Sequence, residues 1–135
     1  MADGPALALQ AALVATLKAD AGVTAIVAGR GYDEPPQNVA FPYIRLGVLV
    51  LEPFRTDAKV AWTVTFGIEA HSRPVSGRVL ATRAAQAVIA ALDEQPLSVP
   101  GFSLAWSQFI TSTTSRAGDG ESYIATAAFE AVLDA

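Results

Sequence analysis

Cysteine is absent from all 135 residues. That excludes disulfides, thiolate metal sites and a cysteine nucleophile, and it leaves the redox compartment undetermined. Histidine occurs once, at His71, and a single imidazole without thiolates cannot build a typical zinc site. Charge is scarce: 16% of the residues are charged, against about 25% in average soluble chains. The nine basic residues are scattered and form no stripe, and a formal charge of -4 gives no bulk attraction for nucleic-acid phosphates. Long apolar runs are also missing, since the longest, residues 46–51, is too short to cross a bilayer. Residues 1–4 lack the basic and apolar regions of a signal peptide. These absences predict a soluble chain made in the cytoplasm.

What is abundant is apolar: 52% of the chain, much of it alanine. Two explanations stand side by side, a compositional habit or a surface covered by other subunits. The length suits one domain spanning residues 1–135, with no internal repeat and no separating linker. Leu9, Ala12, Leu13, Val14 and Leu17 recur at helical spacing and predict a helix over residues 5–19, with Asp3 as N-cap and Pro5 in its first turn. A short helical turn over 23–28 follows, then the break at Gly29-Arg30-Gly31. Residues 32–38 read as an extended loop, because each residue before a proline avoids the α region.

Two strands are predicted next, over 41–52 and 59–71. In the first, Ile44, Leu46, Val48 and Val50 fall on one face. In the second, Val60, Trp62, Val64, Phe66 and Ile68 alternate with smaller and polar residues. A helix over 77–92, capped by Ser76, should bury Leu80, Ala84, Ala87, Val88, Ala91 and Leu92. Strands over 102–113 and 123–133 complete the pattern, joined by a glycine-rich connection at 116–120. Phe102, Leu104, Trp106 and Ile110 would share one face of the first of these. Helix is an alternative for the alanine-rich residues 124–133. The order predicts an α+β fold, a two-layer sandwich with an antiparallel sheet of about four strands and two main helices on one face.

The residues that could carry chemistry are few. His71 beside Ser72 is read as a chance adjacency at a solvent-facing strand end. Asp33-Glu34, Asp93-Glu94 and Asp119 with Glu121 lie in turns, where solvated carboxylates are ordinary, and the last group is too short for a calcium loop. Gly29-Arg30-Gly31 lacks the remaining residues of a phosphate loop. Trp62, Phe66 and Trp106 could stack on bases, but without basic interleaving they read as core. No catalytic residue, metal ligand or cofactor site is therefore assigned. The candidates for subunit contact are two hairpin tips, Phe54, Arg55, Asp57 and Lys59 at one and Arg116, Asp119 and Glu121 at the other. Opposite charges on projecting loops suit a heterologous interface between copies.

The order of elements carries a resemblance. Residues 41–47, reading FPYIRLG, open the central hairpin. The leucine- and alanine-rich first helix ends in Ala19-Asp20, followed by 23–27. Tyr32-Asp33 precedes the proline loop, and Asp119-Gly120 precedes the last strand. In this the chain resembles small phage tail-completion proteins, similar to the tail terminators of long-tailed phages and gene transfer agents. The resemblance implies a non-enzymatic virion protein without cofactor, working at the head-proximal end of a phage-like tail. It implies a homo-oligomer, a hexameric ring that caps the tail tube protein and meets a head connector or stopper protein. DNA is a candidate to pass through the lumen without specific binding, and no membrane is implied. Two alternatives stay open at this point, another head–tail connector or tube component and a small cytoplasmic α+β dimeric binding module.

Overall fold

The computed structural model describes residues 4–55, 60–73, 78–118 and 120–135. Helix α1 spans Pro5–Ala19 and α2 spans Ala21–Val27. Strand β1 covers Gly31–Tyr32, β2 Tyr43–Arg55 and β3 Val60–Ser72. Helix α3 spans Val79–Leu92, followed by β4 at Ser103–Arg116 and β5 at Tyr123–Asp134. The strands form one sheet in the order β1-β2-β3-β5-β4, antiparallel throughout except for β1 against β2. The α+β reading holds, with β1 added: Gly31 of the predicted break and Tyr32 of the predicted loop pair with Ile44 and Arg45. Residues 123–134 form a strand and not the alternative helix, because regular pairing with both β3 and β4 satisfies their backbone.

Each helix end has a local cause. Gly4 occupies the N-cap of α1 with Pro5 in the first turn, while Asp3 lies outside the described residues. Asp20 separates α1 from α2 and caps the second, its carboxylate accepting the Val23 N–H at 3.0 Å. Ala28 turns left-handed and Gly29 follows at φ 78°, a conformation that favours glycine and reverses the chain toward β1. Ser76, the predicted cap of α3, also lies outside the described residues.

The helices cover one face of the sheet. Leu9, Leu13 and Leu17 of α1, Val23 and Val27 of α2, and Ala81, Ala84, Ala85, Val88 and Leu92 of α3 meet Ile44, Leu46, Val64, Phe66, Ile68, Ala127, Phe129 and Leu133. Phe66 and Phe129 stack at 5.3 Å between ring centroids, and Phe109 meets Phe129 edge-on at 5.9 Å. On α3 the buried stripe differs from the one expected: Ala81 and Ala85 are buried, while Leu80, Ala87 and Ala91 flank it half-buried. The alanines let the helix axis approach the sheet, and the stripe follows that axis.

Three bulges correct the predicted strand faces. Strand β2 slips between Leu46 and Leu49, so Leu49 and Leu51 turn to the core side and Val48 and Val50 turn outward. Val48 is 70% exposed. Strand β4 slips between Leu104 and Trp106 and again between Phe109 and Thr111. Its core-side residues are Leu104, Ser107 and Phe109, with Phe102 just before it also packed on the core, while Trp106 and Ile110 are 39% and 53% exposed. An added residue on one strand reverses the alternation beyond it. Trp106 is therefore a surface residue, whereas Trp62 packs on the core and meets Phe102 edge-on.

Candidate functional site

The sheet register sets the two candidate hairpin tips far apart. Ala61 pairs with Asp134 and Ser72 with Tyr123 in the β3–β5 ladder. The tip joining β2 to β3 thus sits at one end of the sheet, and the tip joining β4 to β5 at the other. Eleven residue steps between those pairs correspond to about 37 Å.

At the first tip Phe54 and Arg55 are exposed on the last two positions of β2. Asp57 and Lys59 lie outside the described residues. At the second tip Arg116 donates to the Tyr123 hydroxyl at 3.0 Å, with its guanidinium 5.4 Å from the Tyr123 ring centroid. Arg78 approaches the same ring at 5.6 Å. Glu121 pairs with Arg73 at 3.4 Å, and Arg73 also lies 4.3 Å over the Phe41 ring. Asp119 lies outside the described residues. The structure therefore brings Arg116 and Glu121 to one tip beside two further arginines and two aromatic rings, and places Phe54 and Arg55 at the other. Sequence reasoning missed Arg73 and Arg78, because only the closing of β3 against β5 brings Arg73 to Glu121 and Arg78 to Tyr123.

His71 is not the solvent-facing terminus expected. Its ring stacks on Tyr43 at 4.7 Å with 5° between planes, and Nε2 lies 3.0 Å from a Glu69 carboxylate oxygen. Ser72 beside it is buried on the opposite face, since successive side chains in a strand alternate, so the two do not form a dyad. Asp93 also departs from the solvated reading. Its carboxylate accepts the Phe109 N–H at 2.9 Å, the Glu94 N–H donates to the Ser107 carbonyl at 2.9 Å, and Ser107 Oγ donates to the Leu92 carbonyl at 2.8 Å. Glu94 takes φ 54°, which folds the end of α3 onto the β4 edge.

The open face of the sheet presents exposed Val48, Val50, Phe54, Trp106 and Ile110. Four of these five come from bulged stretches, which binary patterning cannot locate. Gly47 is the sequence signal for the β2 bulge: a Cβ there would lie 3.2 Å from the Gly67 carbonyl and 3.0 Å from a Glu69 oxygen. Among the described residues no three histidine or acidic side chains gather in a way that could hold a metal ion. No single helix among them is long and apolar enough to cross a membrane.

The same fold occurs in a solved structure titled the virion of a native gene transfer agent particle. One of its chains superposes with a TM-score of 0.90 at 27% identity, over 99% of this chain and 100% of that one. Comparison with curated proteins returns no match. This sheet with its one helical layer, shared over 99% of the chain with a virion component, defines together with a tail-family match a structural protein of a phage-type or gene-transfer-agent tail. The model of the tail completion protein gp17 family matches residues 11–134, and the chain belongs to that family.

Proposed function

We propose that the chain is the tail terminator subunit of such a particle: a non-catalytic protein whose copies close a ring over the tail tube and meet the head connector. The observation that carries this reading is the placement of the two hairpin tips at opposite ends of one continuous sheet. Surfaces set at opposite ends of a subunit suit heterologous, head-to-tail contact, which gives a ring when the rotation between neighbours closes and a filament when it does not; the resemblance favours the ring. Phe54, Arg55, Asp57 and Lys59 would meet one neighbour, and Arg116, Asp119 and Glu121 the next. The resemblance supplies the number six, the tail tube and head connector as partners, and DNA crossing the lumen without specific binding. The exposed apolar side chains Val48, Val50 and Phe54 of β2 and Trp106 and Ile110 of β4 support burial at contacts in an assembly.

Native mass spectrometry across a concentration series tests the reading. A six-subunit species that grows with concentration is expected. A chain that stays dimeric at every concentration refutes it. Joint charge reversal of Arg55 and Lys59 should weaken assembly while leaving the melting temperature of the monomer within about 2 °C, as for surface substitutions generally. Unchanged assembly would remove that tip from the contact.

A further inference from the structure

The two edges of the sheet are closed unequally. On the β2 side, β1 covers Ile44 and Arg45, a bulge interrupts the strand between Leu46 and Leu49, and Pro53 follows. Pro53 stands opposite Trp62 in the β2–β3 ladder. Proline has no N–H to give, so it is tolerated where that position faces the free edge, and there it blocks an incoming strand.

On the β4 side the protection stops halfway. The Ser107 carbonyl and the Phe109 N–H point away from β5 and are taken up by Glu94 and Asp93. Ser107 and Phe109 stand opposite Ala131 and Phe129. Strand β5 runs against β3 without a register shift, so every second residue along it keeps the same orientation. Ala127, Ala125 and Tyr123 continue that series, and their partners are Ser112, Thr114 and Arg116. These three therefore also turn their N–H and C=O groups to the free edge. Among the described residues no main-chain bond from outside the sheet reaches them. Residues 111–116 are paired one to one with β5, carry no proline, and hold no charge before Arg116. Natural sheets seldom leave such an edge bare.

We propose that this edge accepts a strand from another polypeptide of the tail. The occupant is an extended segment of about five residues, uncharged except at one end, that pairs with Ser112, Thr114 and Arg116. It carries a carboxylate at the end where Arg73, Arg78 and Arg116 gather around Tyr123 and Glu121. A second copy fits less well. Its β2 edge is closed, and pairing β4 with β4 would make an isologous two-fold dimer in place of the head-to-tail contact. In that respect the inference rests on the ring reading above.

Hydrogen exchange of the amides of residues 112, 114 and 116 tests it, in isolated protein and in assembled particles. Exchange about a hundredfold slower in particles is expected, with no slowing in isolated protein across the concentration series. Equal exchange in particles overturns the proposal. Slowing that develops in isolated protein also overturns it, because the occupant is then a second copy. Thr114→Pro removes an outward N–H and leaves the β5 ladder intact, as Pro53 does in β2. It should keep the native mass spectrum of the isolated protein and lower incorporation into particles about tenfold or more; incorporation at the wild-type level overturns the proposal. Failure of the ring reading appears separately, as a native mass spectrum without a ring, and leaves the exchange result in particles decisive.

Discussion

Replacing Phe129 by alanine tests the core and the bulge assignment together. The Phe129 side chain is fully buried, stacked on Phe66 at 5.3 Å and met edge-on by Phe109 at 5.9 Å. Loss of a buried phenylalanine costs about 3–5 kcal/mol in transfer and cavity terms together. The two ring contacts favour the upper part of that range, since aromatic pairs contribute about 0.5–1.5 kcal/mol beyond burial. At roughly 2.1 cal/mol/K per residue, this chain has an unfolding entropy of about 0.28 kcal/mol/K, so the melting temperature should fall by about 11–18 °C. Trp106→Ala is the companion variant. Strict alternation along β4 would place Trp106 in the core, but the bulge beside Ala105 turns it outward, and its removal should cost less than about 1 kcal/mol. Thermal melts followed by circular dichroism at two protein concentrations separate folding from assembly. A fall below about 5 °C for Phe129→Ala, or an equal fall for Trp106→Ala, would refute the packing described for the sheet.

Two further substitutions probe the joints between elements. Asp93→Ala should destabilise by about 1–3 kcal/mol because it leaves the Phe109 N–H unpaired, and Ser107→Ala by about 1 kcal/mol. Their joint effect in a double-mutant cycle should depart from additivity, since both residues stitch the end of α3 to β4; strict additivity in urea titrations would contradict a shared joint. Asp20→Ala should cost about 1 kcal/mol through the lost Val23 cap, while Asp20→Asn should be nearly neutral. Equal losses in the two variants would show that the cap is not the cause.

Much of this architecture was legible in the residues. The leucines of α1 and the long alternation from Val60 to Ile68 marked elements that the fold keeps, because helical and extended periodicities differ too much to be confused over ten residues. The faces of β2 and β4 were not legible. A bulge is one residue wide, and its position depends on how neighbouring strands meet: Gly47 gives way where Glu69 and the Gly67 carbonyl crowd it. The candidate tips were readable as projecting charged turns, but not their separation, which follows from β5 inserting between β3 and β4. The Asp93–Phe109 and Ser107–Leu92 bonds were hidden for a similar reason, since they join residues 15 or 16 apart that only the turn at Glu94 brings together.

The opposed tips also fix how the molecule carries a mechanical load. Tension between the two hairpin turns draws β2 and β3 one way and β4 and β5 the other. The load falls on the β3–β5 ladder along the strand axis, spread over the twelve paired positions from Ala61–Asp134 to Ser72–Tyr123. A ladder pulled in this direction must break many hydrogen bonds at once, whereas one peeled from its end breaks them singly. If neighbours in a particle grip the protein at its tips, its stiffest direction is the one along which they pull.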